Sequence, residues 1–284
     1  MSVKVCRFFR FYERKIILFE QRALFIANNV YLRKRVRIMK TIIIIPSRYG
    51  SSRFPGKPLA MIQGKPMIQH VYENASKAFP DVWVATDDAR IEERVKQFGG
   101  NVVMTSSTCP SGTDRLAQAI QSIPNGDSFD VVINVQGDEP FIQPSQIQLL
   151  ADIFTNNPST QIATLVKKIT DSQDLFNPNK PKVVRAIDGR AIYFSRSPIP
   201  YFRGEDKENW VNKHTYFKHI GIYAYKREVL LEVTKLPQSL QEKAESLEQL
   251  RWIDNNYVIN TAVTDFENLC VDTPEDLEKI LQTL

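Results

Sequence analysis

Four consecutive isoleucines, Ile42–Ile45, constrain the fold of this chain more than any other feature of its sequence. A short, continuous run of β-branched apolar residues predicts a buried strand. Pro46 follows the run and ends it, because proline lacks the backbone N–H that a neighbouring strand would require. The run is therefore expected to form a buried strand from which the rest of the fold can be argued.

Short apolar runs alternate with amphipathic stretches after this strand. VWVATDD and VVINVQGDEP predict two more strands, whereas residues 66–78, IEERVKQFGG and RLAQAIQSI predict helices. Such alternation predicts an α/β fold with a mostly parallel sheet and helices on both faces. Ligands bind beyond the carboxyl ends of the strands in such sheets. The polar clusters PSRYGSSR, ATDD, SGTDR and QGDEP all fall at such ends, which predicts a site there.

Residues 161–225 have a different pattern, with strand-like segments such as KVVRAI and HIGIYAYKR joined by turns such as DGR. They predict an antiparallel excursion that forms a sub-domain or a dimer surface. The last segment, VDTPEDLEKILQTL, predicts a helix with Thr273 as its N-cap and Pro274 at its first position.

Residues 1–39 carry ten Lys/Arg and two Glu, whereas the rest of the chain carries 27 basic and 30 acidic side chains. The net charge of +5 therefore belongs to this basic N-terminal extension, and the acidic balance of the remainder excludes a nucleic-acid-binding body. Three explanations stay open for the extension: an organellar presequence, an amphipathic helix at a membrane surface, and a misassigned start codon before Met39. We favour the last and expect residues 40–284 to form the folded domain.

The cysteines and the apolar runs bear on the compartment. Cys6, Cys109 and Cys270 form no C-x-x-C pair, which argues against a disulfide framework or a structural zinc site. A reducing compartment suits this pattern, and we expect the cytoplasm. No apolar run approaches the ~18 residues that a membrane span requires, so no stable membrane insertion is expected.

The loop after the isoleucine strand contains three cations, Arg48, Arg53 and Lys57. Guanidinium groups bind phosphate oxygens in pairs, and lysine adds a point charge. Gly50 and Gly56 let the backbone approach an anion closely. The loop is not a Walker A motif, since a proline follows the lysine. A solvated basic turn is the alternative, but the position directly after a buried strand favours an anion site.

Two acids are the candidate metal ligands. Asp138 lies in QGDEP at a strand end, and Asp272 follows the short apolar segment LCV. Carboxylates together with substrate phosphates are the usual ligands of Mg²⁺. With the basic loop, the pair predicts a site for a nucleoside triphosphate and Mg²⁺. Taken singly, each aspartate is more often a loop or capping residue, and Asp272 could cap the helix that follows.

His219 lies in a strand-like segment in which alternation places it on the same face as Gly221, Tyr223 and Tyr225. Contact with a ligand and a hydrogen-bonded structural role are both consistent with this spacing. The sequence contains no HExxH motif and no G-x-S-x-G elbow.

A set of ordered motifs resembles the 3-deoxy-manno-octulosonate (Kdo) cytidylyltransferases, or CMP-Kdo synthetases. The motifs are IPSRYGSSRFPGKPL, VATDD, SGTDRLA, NVQGDEP, FNPN, YFSR, HIGIYAYKR, LEQLR and VDTPEDL. The resemblance extends from Thr41 to the C-terminus, and the first motif alone also resembles the wider cytidylyltransferases that activate sialic acids. The chain departs from the pattern at Asp114, where glutamate is frequent, and at Leu269 and Cys270, where a glycine-containing turn is usual.

The resemblance implies a Rossmann-like, GT-A-like nucleotidyltransferase fold. This fold is a three-layer sandwich with a mixed, mostly parallel sheet, and its antiparallel excursion serves dimerisation or sugar binding. The resemblance also implies a homodimer that uses Mg²⁺ to convert CTP and Kdo into CMP-Kdo and pyrophosphate, for lipopolysaccharide precursor synthesis.

The resemblance also assigns roles to residues, motif by motif. The catalytic candidates, of which the three cations would hold the triphosphate, are Arg48, Arg53, Lys57 and Asp138. The further nucleotide-binding candidates are Pro46, Ser47, Ala85, Ser111, Gly112, Arg115 and Gln136. The sugar-binding candidates are Arg196, His219, Tyr223, Glu248 and Gln249. The metal-binding candidates are Asp138 and Asp272.

Other functions stay open at this point. The same chemistry could act on 8-amino-Kdo or a sialic-type acid, or the chain could be a non-catalytic nucleotide-binding module. A glycosyltransferase with Asp138 as a metal ligand is a third alternative. The three-cation loop, which suits a free triphosphate, counts against that last one.

Overall fold

The structure, a computed structural model, describes residues 39–51, 53–267 and 269–283. The extension predicted for residues 1–39 lies outside these ranges except for Met39. The strands are β1 Thr41–Ser47, β2 Met61–Ile62, β3 Lys65–Pro66, β4 Val82–Thr86, β5 Asn101–Met104, β6 Val131–Asn134, β7 Ile162–Lys168, β8 Lys182–Arg185, β9 Ala191–Ser195, β10 Phe217–Lys226 and β11 Ile259–Val263. The helices are α1 Met67–Ser76, α2 Ala89–Gln97, α3 Gly112–Ser122, α4 Pro144–Asn156, α5 Ser172–Phe176, α6 Trp210–Lys213, α7 Arg227–Val233, α8 Leu240–Glu245, α9 Gln249–Asp254 and α10 Pro274–Thr283. Within the described ranges, no helix has the length and apolar character needed to cross a bilayer.

A nine-stranded sheet forms the centre of the molecule. Seven of its strands follow the order β11-β7-β10-β6-β1-β4-β5, while β8 pairs with β10, and β9 with β8. The isoleucine strand β1 pairs in parallel with β4 and with β6, and β4 pairs in parallel with β5. By contrast, β10 runs antiparallel to both β6 and β7. The prediction of a mixed, mostly parallel sheet is confirmed.

The isoleucines of β1 divide between the two faces of this sheet, because successive side chains of a strand point in opposite directions. Ile42 and Ile44 belong to one core cluster with residues of α3, α7 and α9, whereas Ile43 and Ile45 belong to a second cluster with residues of α1, α2 and α4. All four are fully buried. Helices therefore cover both faces, which confirms the predicted three-layer sandwich.

The antiparallel pairing predicted for residues 161–225 is present, since β10 pairs antiparallel with β7 and β8, and β8 with β9. This segment is not set apart from the main sheet, however. Strand β7 also pairs in parallel with β11, and β10 lies directly against β6. Two of its strands therefore complete the central sheet, while β8 and β9 branch from it.

The C-terminal helix begins as the sequence predicts. The hydroxyl of Thr273 accepts a hydrogen bond from the backbone N–H of Asp276 at 3.2 Å, and Pro274 is the first helical residue. Val271 and Ile280 pack against Ile62 and Met67 in a small separate core. This packing brings the chain back across the carboxyl ends of β1 and β6.

Candidate active site

A cleft of about 260 Å³ opens at the carboxyl ends of β1 and β6. The two strands are adjacent and parallel, so the polar segments that follow them emerge side by side. The residues that line the cleft are Pro46, Ser47, Arg48, Ser51, Arg53, Lys57, Pro58, Cys109, Pro110, Ser111, Gly112, Arg115, Gln136, Gly137, Asp138 and Asp272. The structure thus brings together the predicted triphosphate and metal candidates and every nucleoside candidate except Ala85, which is fully buried in β4.

The basic loop is held in place by Tyr49. The backbone N–H groups of Ser51 and Gly56 both donate to the carbonyl oxygen of Tyr49 at 2.9 Å. Gly56 has a φ of +73°, and a Cβ there would meet the Tyr49 ring at 3.0 Å, so the turn requires glycine. The guanidinium of Arg90 lies 3.3 Å from the centroid of the Tyr49 ring and also pairs with Asp88. A cation–π contact therefore fastens the loop to α2.

The last residue of β1, Ser47, meets the segment that follows β6 at Gly137. A Cβ on Gly137 would lie 2.5 Å from Oγ of Ser47 and 2.9 Å from the carbonyl oxygen of Pro46, so only glycine fits this approach. Oγ of Ser47 is buried and has no hydrogen-bond partner in the described part of the chain. A buried hydroxyl without a partner in the wall of a cleft has hydrogen-bonding capacity left for a ligand or a water molecule.

Two carboxylates and two cations form a cluster within the cleft. Nζ of Lys57 lies 2.7 Å from Oδ2 of Asp138 and 3.4 Å from Oδ1 of Asp272, and a guanidinium nitrogen of Arg53 lies 3.1 Å from that same Oδ1. Burial lowers the pKa of Lys57, but the two carboxylates outweigh it and hold this pKa above its ordinary value. Lys57 is therefore a cation at neutral pH.

Asp272 reaches the cluster through a backbone contact. The N–H of Val271 donates to the carbonyl oxygen of Asp138 at 3.0 Å, which ties the two aspartates together. Asp272 does not cap α10, since Thr273 does so, and its carboxylate is left facing Lys57 and Arg53. Loss of hydration, followed by the charges of both aspartates, raises the pKa of the neighbouring Cys270 thiol. The cysteine is thus neutral beside the two carboxylates.

The N-terminus of α3 forms the opposite wall. Ser111 is its N-cap, and its Oγ accepts a hydrogen bond from the N–H of Asp114 at 3.1 Å. Arg115, one turn into the helix, is buried and donates to Oδ2 of Asp87 at 2.9 Å and to Oγ1 of Thr105 at 2.6 Å. The ATDD segment at the end of β4 therefore fixes the guanidinium that the sequence predicted near the nucleoside.

Glu248 joins this wall to the predicted sugar pocket. Its carboxylate accepts hydrogen bonds from Oγ1 of Thr113 at 2.8 Å, from Oγ of Ser111 at 3.3 Å and from the Arg251 guanidinium at 2.6 Å. Burial raises the pKa of Glu248, and the hydroxyl donors and Arg251 act against that rise. The sequence predicted Glu248 but missed Thr113, which lies in the SGTDRLA motif, and Arg251, which ends the same LEQLR motif as Glu248.

The remaining sugar-binding candidates lie beside the cleft rather than in its wall. The rings of His219 and Tyr223 on β10 are 5.2 Å apart, and a ring nitrogen of His219 lies 3.0 Å from Oγ1 of Thr164. Among the described residues, neither Oη of Tyr223 nor Nε2 of Gln249 has a hydrogen-bond partner, although both are buried. Both groups thus have unused hydrogen-bonding capacity, but neither reaches solvent in this structure.

Arg196 is committed to backbone groups. Its guanidinium donates to the carbonyl oxygens of Glu245 at 2.6 Å, Pro178 at 3.0 Å and Ser246 at 3.3 Å. Its backbone N–H also donates to the Glu245 carboxylate at 2.9 Å. Arg196 thus braces the segment that leads to Glu248 and would need to exchange a carbonyl contact to bind a substrate directly.

Cleft residues that the sequence analysis passed over include Cys109 and Pro110. The sequence analysis assigned Cys109 no role at the site, and burial raises the pKa of its thiol. The thiol donates to Oε1 of Gln118 at 3.2 Å, which also accepts from the N–H of Ser106. Cys109 and Pro110 come directly before SGTDR, and this position could have identified them as cleft residues. A loop that precedes a helix N-cap lies in the same wall of the cleft as the cap.

His219 is expected to make the protein less stable as the pH falls. Burial lowers the pKa of its imidazole from 6.5 to about 4, so the unfolded chain binds the proton more readily. Lowering the pH from about 6.5 toward 4 therefore favours unfolding. The free energy of unfolding falls by on the order of 2 kcal/mol between pH 7 and pH 5. Urea unfolding of wild type and His219→Gln at both pH values checks this, since the carboxylate contributions cancel in the difference. A wild-type advantage that is equal at pH 7 and pH 5 would contradict it.

Known proteins match this fold and these motifs. Residues 42–268 match the sequence profile of the cytidylyltransferase family. The 3-deoxy-manno-octulosonate cytidylyltransferase of Parabacteroides distasonis is 56% identical over 251 residues, which cover 87% of this chain and 99% of that protein. The enzyme of the same name from Bacteroides thetaiotaomicron is 56% identical over 243 residues, or 84% of this chain and 96% of that protein.

A solved structure shares the same architecture. It is a CMP:2-keto-3-deoxy-manno-octonic acid synthetase complexed with CTP, and it aligns with a TM-score of 0.79 at 45% identity. The alignment covers 86% of this chain and 98% of that one. The sequence profile, the relatives and the shared fold agree with the cleft geometry, and the chain therefore belongs to the family of 3-deoxy-manno-octulosonate cytidylyltransferases.

Proposed function

We propose that this protein transfers the CMP group of CTP to the anomeric hydroxyl of Kdo and releases pyrophosphate. The observation that carries the proposal is the convergence of Arg48, Arg53 and Lys57 with Asp138 and Asp272 in one cleft. Three cations beside two carboxylates suit a triphosphate that arrives with a divalent ion. The relatives that share these motifs bear the name of this activity.

Phosphoryl transfer depends mainly on positioning and charge neutralisation. Arg48, Arg53 and Lys57 would hold the phosphates so that the pyrophosphate group can leave in line with the attacking hydroxyl. Oγ of Ser47 would form a hydrogen bond with the nucleotide. The N-terminus of α3, capped by Ser111, lies where it can receive polar groups of the nucleoside.

Asp138 and Asp272 are the residues that would hold Mg²⁺. Their oxygens are hard donors that both contact the same ammonium group, and ligand atoms of Asp138, Asp272 and Cys270 lie within 4.8 Å of one another. The donor set fits the ion through the two carboxylates, while the neutral thiol is a poor ligand for it. When bound, Mg²⁺ would neutralise phosphate charge and lower the pKa of the attacking hydroxyl.

The acceptor side is proposed at Tyr223, Glu248 and Gln249. Tyr223 and Gln249 offer buried polar atoms without partners in the described chain, which favours a ligand rich in hydroxyl groups. Glu248 links them to the α3 wall through Ser111 and Thr113. This contact supports an acceptor pocket next to the nucleotide cleft, as direct transfer would require.

A coupled pyrophosphate assay tests the proposal. We expect release with CTP and Kdo together, and none when either is omitted. Parallel reactions with 8-amino-Kdo and N-acetylneuraminate test the same chemistry on a related acid. Tight CTP binding without pyrophosphate release would favour the non-catalytic module, and absence of turnover with CTP and Kdo would overturn the proposal.

The homodimer, the cytoplasmic location and the role in lipopolysaccharide precursor synthesis stay predictions from the family resemblance. The exposed apolar side chains of Ile192 on β9 and Val263 on the edge strand β11 support an association surface.

A further inference from the structure

The carboxylates proposed to hold Mg²⁺ are already partly neutralised by a side chain of the protein. Nζ of Lys57 lies 2.7 Å from Oδ2 of Asp138 and 3.4 Å from Oδ1 of Asp272. The Lys57 side chain is only 12% exposed, so its ammonium lies between the acids rather than in solvent. Arg53 also contacts Asp272, but its side chain is 64% exposed and it does not bridge the pair.

An ammonium group and a divalent cation compete for such oxygens. Mg²⁺ binds carboxylate oxygens at about 2.0–2.1 Å and requires their lone pairs to be free. A lysine at hydrogen-bond distance from both carboxylates occupies the space that the ion would take and cancels part of the charge that would attract it. A divalent ion at this point therefore requires Lys57 to move.

Lys57 is suited to such a movement. Its charge is a compact ammonium on a flexible four-carbon stem, so it can change partners without a change in the backbone. Its Cα is fixed by the 3₁₀ turn Lys57–Leu59, which Gly56 begins. A triphosphate bound in the cleft would offer more negative charge than the two aspartates, and Arg48, Arg53 and Lys57 all line that cleft.

We propose that Lys57 is a placeholder cation that holds the two aspartates together in the ligand-free protein and leaves them for the triphosphate. The divalent ion then enters with the nucleotide and not before it. This proposal rests on the proposed function for the identity of the triphosphate. The competition between Lys57 and the ion depends only on the two carboxylates.

Binding of Mn²⁺ to the metal-free protein tests the proposal without turnover. Free Mn²⁺ is followed by electron paramagnetic resonance in the absence of nucleotide, for wild type, Lys57→Met and Lys57→Gln. We expect both variants to bind Mn²⁺ at least about tenfold more tightly than wild type, because a carboxylate pair that has lost the lysine ammonium attracts a cation more strongly. Their turnover with CTP should fall, so metal affinity and activity change in opposite directions.

Lys65→Met is the matched control. Lys65 forms an ion pair of the same length with Glu73, 2.7 Å, on the surface and outside the cleft, so its loss should leave Mn²⁺ affinity unchanged. The double variant Lys57→Met with Asp138→Asn should lose the gain in Mn²⁺ affinity, which would assign the bound ion to this cluster. Circular dichroism confirms that each variant is folded.

The proposal is overturned if both Lys57 variants, folded, bind Mn²⁺ no more tightly than wild type, or if wild type binds the ion as tightly without nucleotide as with CTP. Either outcome leaves pyrophosphate release by wild type untouched. Conversely, the wild type could show no turnover while the Lys57 variants bind Mn²⁺ more tightly than it does. That result would overturn only the proposed function.

Discussion

Replacement of Asp138 by asparagine is expected to lower kcat by roughly a thousandfold, because a charge-stabilising group of the transition state is lost. Asparagine has the shape of aspartate but no charge, so it can neither pair with Lys57 nor serve as a strong ligand for Mg²⁺. Asp138 is partly exposed and follows β6 rather than lying within it, so the sheet does not depend on it. Steady-state kinetics with CTP and Kdo measure the effect.

Asp152→Asn is the control for this change. Asp152 lies on α4, accepts a hydrogen bond from Gln148 and does not line the cleft, so the same loss of one charge there should leave kcat within twofold of wild type. Equal urea midpoints for the two variants would exclude unfolding as the cause. If Asp138→Asn retained more than a tenth of the wild-type rate, the assignment of Asp138 would be wrong.

The parallel core of the fold was predictable because its signals are local. The isoleucines of β1 and the apolar segments of β4 and β6 each identify a strand, and the helices between them require parallel pairing. The insertion of β10 between β6 and β7 was not predictable in this way. An antiparallel partner is chosen by long-range contacts, and the alternation in HIGIYAYKR does not show which strands it will join.

The same distinction applies to the site. Arg48, Arg53, Lys57 and Asp138 follow strand ends, and their convergence was expected from the sheet alone. The position of Asp272 could not be expected from the sheet alone, since it depends on a hydrogen bond from Val271 to Asp138, which is far away in sequence. The short apolar segment before Asp272 made it a candidate, and the resemblance supported that choice before the geometry explained it.

The acceptor side was the least accessible to sequence reasoning. The contact of Glu248 with Thr113 joins two segments more than a hundred residues apart, and no local pattern marks either as a partner of the other. The resemblance assigned Arg196 to the sugar pocket. Its guanidinium instead holds the backbone carbonyls of Glu245 and Ser246, so its role as seen in this structure is to position that segment.

Gly137→Ala is expected to lower kcat/KM by about a hundredfold, because a misplacement of substrate-positioning groups by about 1 Å has effects of that size. The added Cβ would lie 2.5 Å from Oγ of Ser47 and 2.9 Å from the carbonyl oxygen of Pro46. Ser47 can rotate, but the Pro46 carbonyl belongs to β1 and cannot yield without moving the strand end. The segments that carry Arg48 and Asp138 must therefore separate, at a cost of about 1–3 kcal/mol in folding stability.

Gly50→Ala is the control that separates the effect of crowding from a general effect of replacing glycine by alanine. Gly50 lies in the basic loop, its φ is not positive, and a Cβ there would meet nothing within 4 Å. The alanine variant should therefore bind CTP like wild type in calorimetry, whereas Gly137→Ala should bind it much more weakly. Gly137 lines the cleft and is crowded, whereas Gly50 lies in the loop beside the cleft and has open space around it. Equal CTP affinity in both variants would mean that the close approach of β1 and β6 does not shape the nucleotide site.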